Sequence, residues 1–254
     1  DGCERGLLAQ LRDTAAMLRK SMHKPGRMDT YDHNRPGAYQ KDTAFLMMDL
    51  CSIAYTCDDD PNWKDKVLAM GFDDAVYIKD PPGIVAWRIA EDGTPQIVIG
   101  MTASRVDLSR PADRNDWVMN THILPTKEGI HLGYDALAKR FIRQLKDVKL
   151  TGMEGNPRIG QLMERARQGE KVSFLLTGHS KGGAEAQVIT YKMMQQGVPA
   201  DNIAAYTYGS PKPFIDGMGN TGIKGQANVY NHLVSNDPVT YLGVADPSMG
   251  NPLI

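Results

Sequence analysis

The stretch Val172-Ser-Phe-Leu-Leu-Thr-Gly-His-Ser-Lys-Gly-Gly183 decides the fold. Its first half is an apolar, strand-like run. Gly178-His179-Ser180-Lys181-Gly182 follows as G-x-S-x-G, and Ala184, Ala186, Val188 and Ile189 continue as a helix-like run. A strand that gives way to a helix this abruptly must turn so sharply that neighbouring atoms collide. Glycines two before and two after Ser180 remove the Cβ atoms that would crowd the turn. One hydroxyl is then held at the tip of a strained elbow, above the end of a sheet.

Outward from the elbow, short apolar runs alternate with helical periodicity. Strands are predicted over 75–79, 84–90, 96–100, 203–208 and 227–234, and helices over 43–55, 134–150, 159–168 and 183–196. Leu137, Phe141, Ile142, Leu145 and Val148 form the inner stripe of the helix over 134–150. Lys139, Arg140, Arg143 and Lys146 form a solvated outer face. Residues 4–20 read as an amphipathic helix, and Gly26–Gln40, rich in Gly, Pro, Asn and Asp, as a loop. The expected organisation is a helical N-terminal flank over 1–42 and an α/β domain over 43–254. Its architecture is the α/β-hydrolase fold, a mostly parallel central sheet with helices on both faces.

Bulk properties narrow the function. The 254 residues are 41% apolar and 23% charged, with a net charge of −1, so nothing points to nucleic acid. No apolar run is long enough to span a bilayer. Cys3, Cys51 and Cys57 have no metal-site spacing, and one disulfide or three free thiols both fit. No metal or cofactor is expected. The chain begins at Asp1 rather than Met, as after removal of a leader or tag.

A serine hydroxyl needs a base, an acid that orients the base, and donors for the oxyanion. In this fold the acid follows the serine in the chain. Asp237, in Leu233-Val-Ser-Asn-Asp-Pro-Val239, follows an apolar strand and is the candidate acid, with Asp216 the weaker competitor. The backbone N–H of Lys181 is one candidate oxyanion donor. Thr102, just after the strand over 96–100, offers its N–H and hydroxyl as the other, with Ser104 as the alternative.

The strand ending near Thr102, His131-x-Gly133-Tyr134, Thr177-Gly-His-Ser-Lys-Gly-Gly183, Tyr208-Gly-Ser-Pro211 and Asn236-Asp-Pro-Val239 occur in an order that resembles the class 3 (fungal-type) lipases. The resemblance covers roughly residues 43–245. It implies metal-free hydrolysis of lipid carboxylic esters, with Ser180 as nucleophile, Asp237 as acid, and Thr102 and Lys181 as oxyanion donors. It also favours a secreted or extracytoplasmic setting. His131 matches a family position outside the triad. Lys181 stands where the family frequently has Leu, and a cation there would favour anionic head groups.

The family's histidine comes after the acid, yet no His follows Asp237 here. Seventeen residues follow Asp237, and a parallel crossover takes about a dozen or more, so a C-terminal strand is expected to be missing. Three readings follow: the base lies beyond Ile254, an earlier histidine serves, or the domain binds without chemistry. His232 is the candidate among the earlier histidines, since it is nearest to Asp237 in the chain.

Residues 104–121 are charge-dense and then apolar at Trp117, Val118 and Met119. This segment is the candidate lid, expected to make transient contact with a lipid interface. The sequence-level expectation is a serine hydrolase of the lipase or phospholipase kind. An esterase or thioesterase on soluble acyl groups and a silent binding domain are the alternatives. Oligomeric state is not read from the sequence.

Overall fold

The computed structural model describes residues 26–102, 126–214, 227–233 and 251–253. Its strands are β1 (Asp74–Lys79), β2 (Pro82–Ile89), β3 (Pro95–Met101), β4 (Ser173–His179), β5 (Ile203–Tyr208), β6 (Asn228–His232) and β7 (Asn251–Leu253). They form one sheet in which spatial order follows chain order. The β1–β2 and β2–β3 pairs are antiparallel, and every pair from β3 to β7 is parallel. The final strand corrects the expectation that none would fit after Asp237. Three residues, Asn251-Pro-Leu, suffice to pair with Tyr230–His232.

The helices are α1 (Lys41–Thr56), α2 (Trp63–Ala69), α3 (Leu132–Asp147), α4 (Ile159–Arg167) and α5 (Lys181–Gln195). The central strands are buried on both faces because their side chains alternate between two apolar layers. Ile97, Ile99, Phe174, Leu176, Ile203 and Ala205 pack toward α3, α4 and α5. Val98, Leu175, Ala204 and Tyr206 pack toward α1 and α2. Helices therefore cover both faces, as the alternating pattern predicts.

α3 buries Leu137, Phe141, Ile142 and Leu145 and exposes Lys139, Arg140, Arg143 and Lys146. Residues 26–40 form a loop with one 3-10 turn, Met28–Thr30. Met28 and Tyr31 from this loop lie in the same apolar layer as α1. The segment over 4–20 lies outside the described residues. No helix among the described residues is long and apolar enough to cross a membrane.

Candidate active site

β4 ends at His179 and α5 begins at Lys181, so Ser180 makes the whole turn. Its backbone sits at φ 52°, ψ −127°, a conformation that costs a non-glycine residue on the order of 1–3 kcal/mol. Three hydrogen bonds hold it there. The Ser180 N–H donates to the Tyr208 carbonyl at 2.9 Å, and its own carbonyl accepts from Gly183 N–H at 2.9 Å and Ala184 N–H at 3.2 Å.

The flanking glycines are required by contact. A Cβ on Gly178 would lie 2.1 Å from the Gly182 carbonyl oxygen, and one on Gly182 would lie 2.6 Å from that of Met101. The serine thus stands at the positive end of α5, where developing negative charge is favoured.

Thr102 follows β3 directly and is buried. In the parallel register Met101 lies opposite Gly178, and the carbonyl carbon of Thr102 is 3.1 Å from where a Gly182 Cβ would be. Ser180, Lys181 and Thr102 are therefore brought together at the ends of two adjacent strands. Both Thr102 donors have partners: the N–H donates to the Pro82 carbonyl at 3.1 Å and the hydroxyl to the Ala54 carbonyl at 3.2 Å.

Lys181 corrects one expectation. Its side chain is 2% exposed and pairs at 3.3 Å with Glu185, which is 0% exposed. The ammonium is turned into the protein and does not form a cationic surface for head groups. Sequence reasoning missed Glu185, although its i,i+4 spacing from Lys181 on a helix was a usable signal.

The histidines have distinct surroundings. His232 stacks on Tyr208 at 4.7 Å and 18°. Its Nδ1 lies 3.1 Å from the Thr207 carbonyl oxygen, so Nδ1 carries the proton. Its Nε2 lies 3.3 Å from the Tyr39 hydroxyl and accepts from it. Burial lowers its pKa, partly offset by hydrogen bonds to Thr207 and Tyr230.

His179 Nδ1 meets the Tyr55 hydroxyl at 3.0 Å, and the His131 ring packs against that of Tyr134, tilted by 34° with centroids 4.4 Å apart. His33 lies in the N-terminal loop, where it pairs with Asp92 at 2.9 Å. Asp237, Asp216, Ser104, His23, His122, Cys3 and the candidate lid over 104–121 lie outside the described residues. Sequence reasoning also misses Tyr39 and Tyr55, because each meets its histidine only through tertiary packing. Among the described residues no group of three or more His, Cys, Asp or Glu side chains is placed to hold a metal.

The loop after β5 closes the site from the other side. Gln187 of α5 donates to Ser210 Oγ at 2.9 Å, which ties the Tyr208-Gly-Ser-Pro211 segment to the elbow helix.

Comparison with known proteins agrees with this fold. A family model described as lipase (class 3) matches residues 115–246, and no curated protein sequence matches the chain. The triacylglyceride lipase of Rhizomucor miehei superposes with a TM-score of 0.54 at 17% identity, covering 80% of this chain and 73% of its own. A triacylglycerol lipase described as having a serine protease triad gives 0.53 at 17% identity, over 81% of this chain and 76% of its own. The MDLA protein of Penicillium cyclopium, in a mutant form, gives 0.54 at 18% identity, also over 81% and 76%. These structural matches share the fold. With the family model covering more than half of the sequence, the chain belongs to the class 3 lipases, of the α/β-hydrolase fold.

Proposed function

We propose that this lipase cleaves lipid carboxylic esters through an acyl-enzyme on Ser180, with Asp237 as the triad acid. The observation that carries this reading is the strained serine backbone at φ 52°, held by three hydrogen bonds at a strand-to-helix turn. Ser180 Oγ attacks the ester carbonyl carbon while its proton passes to a histidine base. The C=O electrons move onto oxygen, and the oxyanion is held by the N–H of Lys181 and the donors of Thr102. The alcohol leaves with the proton from the base. Water then attacks the acyl-enzyme by the same route and releases the carboxylic acid and free Ser180.

For Thr102 to serve, its donors must exchange Pro82 and Ala54 for substrate. That engagement is the one observation favouring the second reading, a binding domain without chemistry. The segment over 104–121 is assigned to interfacial contact by its charge-then-apolar pattern. His232 is assigned a packing role, because both its ring nitrogens already have partners.

Labelling with a fluorophosphonate probe, with the adduct mapped by mass spectrometry, tests this reading. A single adduct on Ser180, together with hydrolysis of emulsified triacylglycerol that is lost in Ser180→Ala, is expected. A folded chain that neither labels nor hydrolyses short or long esters would leave the binding reading standing. Hydrolysis of soluble esters or thioesters alone would move the assignment to an esterase.

A further inference from the structure

Lys181 and Glu185 form a fully buried ion pair that spans the first turn of α5. Two facts make this pair unusual. Lysine occupies the first position of a helix, where the dipole disfavours a cation. It is also the residue whose backbone N–H stands next to the nucleophile in the reading above. From α3, Tyr134 faces the same carboxylate: burial first, and then the charge of Glu185, raise its phenol. The His131 ring packs against that ring in turn, tilted by 34°. Farther along the α3–α5 interface a second buried pair, Lys192 with Asp135, closes at 2.5 Å.

A buried pair contributes little net stability compared with apolar side chains of the same size, but losing one partner is severe. Such a pair therefore behaves as a latch, either closed or lost. Here it joins the first helical residue to the residue one turn on. It fixes the lysine side chain, and with it the peptide that carries the Lys181 N–H.

We infer that Glu185 is a positioning residue for ester hydrolysis: by pairing with Lys181 inside the α3–α5 interface, it locks the first turn of α5 and aims the Lys181 N–H at the oxyanion. This rests on the hydrolase reading above. The consequence is a specific kinetic signature. An oxyanion donor acts in the transition state, so its misalignment lowers kcat and leaves KM nearly unchanged. Removing one such donor outright costs about 10²–10³-fold. Displacing it costs less, on the order of 10-fold.

The test compares wild type, Glu185→Gln and Glu185→Asp on a soluble p-nitrophenyl ester. Rates are normalised to the serines titrated by a fluorophosphonate, which removes any unfolded fraction. In Glu185→Gln, kcat per titrated serine should fall about 10-fold or more, with KM within about threefold. Glu185→Asp keeps the charge but withdraws it by one methylene, and should show a smaller loss of the same kind. It carries the test if the Gln variant does not fold. A merely structural role would lower the melting temperature and the titrated fraction but leave kcat per titrated serine at the wild-type value. That result in the folded variants overturns the inference alone. A wild-type chain that does not label overturns the hydrolase reading and this inference with it.

Discussion

A Cβ placed on Gly178 would lie 2.1 Å from the carbonyl oxygen of Gly182, and 2.6 Å from the nitrogen of Gly183. Both neighbours are backbone of the elbow helix and have no flexible end that can step aside. Gly178→Ala should therefore destabilise the fold by about 3 kcal/mol or more, since the strand and helix must separate. Gly93 is the natural control. It has φ +85°, and a Cβ there would meet nothing within 4 Å, so Gly93→Ala should cost only about 1–2 kcal/mol of backbone strain. Urea unfolding of the two variants side by side measures the difference, and equal losses would refute a steric origin.

Asp135 is the acceptor for two lysines, Lys192 at 2.5 Å and Lys139 at 2.7 Å. Burial opposes its charge, but the hydrogen bonds from Lys139 and Lys192 outweigh that and hold the carboxyl below its usual range. A carboxylate with a depressed folded pKa stabilises the fold above its unfolded pKa, and that contribution fades as pH falls through the folded value. Asp135→Asn leaves Lys192 buried beside a neutral group, so it should cost about 3 kcal/mol at pH 7. The gap to wild type should begin to narrow below about pH 4, where the aspartate of the unfolded wild-type chain takes up a proton while the folded one is still charged. Unfolding free energies at pH 7 and pH 3.5 decide it, and a deficit that does not change with pH would show that shape rather than charge is at work.

The order of strands and helices is legible in the sequence because each central strand is a short apolar run and each long helix carries a stripe. β5 is legible to the residue, since Ile203–Tyr208 is buried throughout. α2 is not legible: of its seven residues only Val67 is fully buried, and Trp63, Val67, Leu68 and Ala69 are too few in so short a run to set a stripe. β7 is hidden because Asn251-Pro-Leu has no pattern of its own. At the site, Ser180 and Thr102 can be placed together because both lie at strand ends. The surroundings of His232 cannot, because its contact with Tyr39 joins residues 193 positions apart. The buried Lys181 side chain is hidden for a related reason. Lysine after the serine reads as a surface cation unless its partner one turn later is counted with it.

Cys51 lies beneath the elbow strand, with its Sγ 3.2 Å from Thr177 Oγ1. Burial pushes its thiol up to about 12, against the opposing effect of its hydrogen bond with Thr177. The reactive species is the thiolate, so Cys51 should resist iodoacetamide at pH 8 in the native protein. It should become fully alkylated once the chain is unfolded. Peptide mapping under both conditions checks this. Native modification of Cys51 would mean that α1, whose Met47 carbonyl accepts from the Thr177 hydroxyl at 3.2 Å, opens readily over the elbow strand.

His232 gives the sharpest test of the site. Its Nε2 lone pair takes the Tyr39 hydroxyl hydrogen bond and its Nδ1 proton goes to Thr207, so no nitrogen is left to accept a proton from Ser180 without rearrangement. Removal of a working triad base costs about 10⁶-fold in kcat. Loss of a packed ring and its two neutral hydrogen bonds costs about 1–3 kcal/mol of stability. His232→Gln should therefore label with a fluorophosphonate within about tenfold of the wild-type rate while its melting temperature falls. Tyr39→Phe, which frees Nε2, should leave the labelling rate where it was. If His232→Gln stays folded but no longer labels, and Tyr39→Phe labels faster, His232 is the base and the Tyr39 hydroxyl is what restrains it.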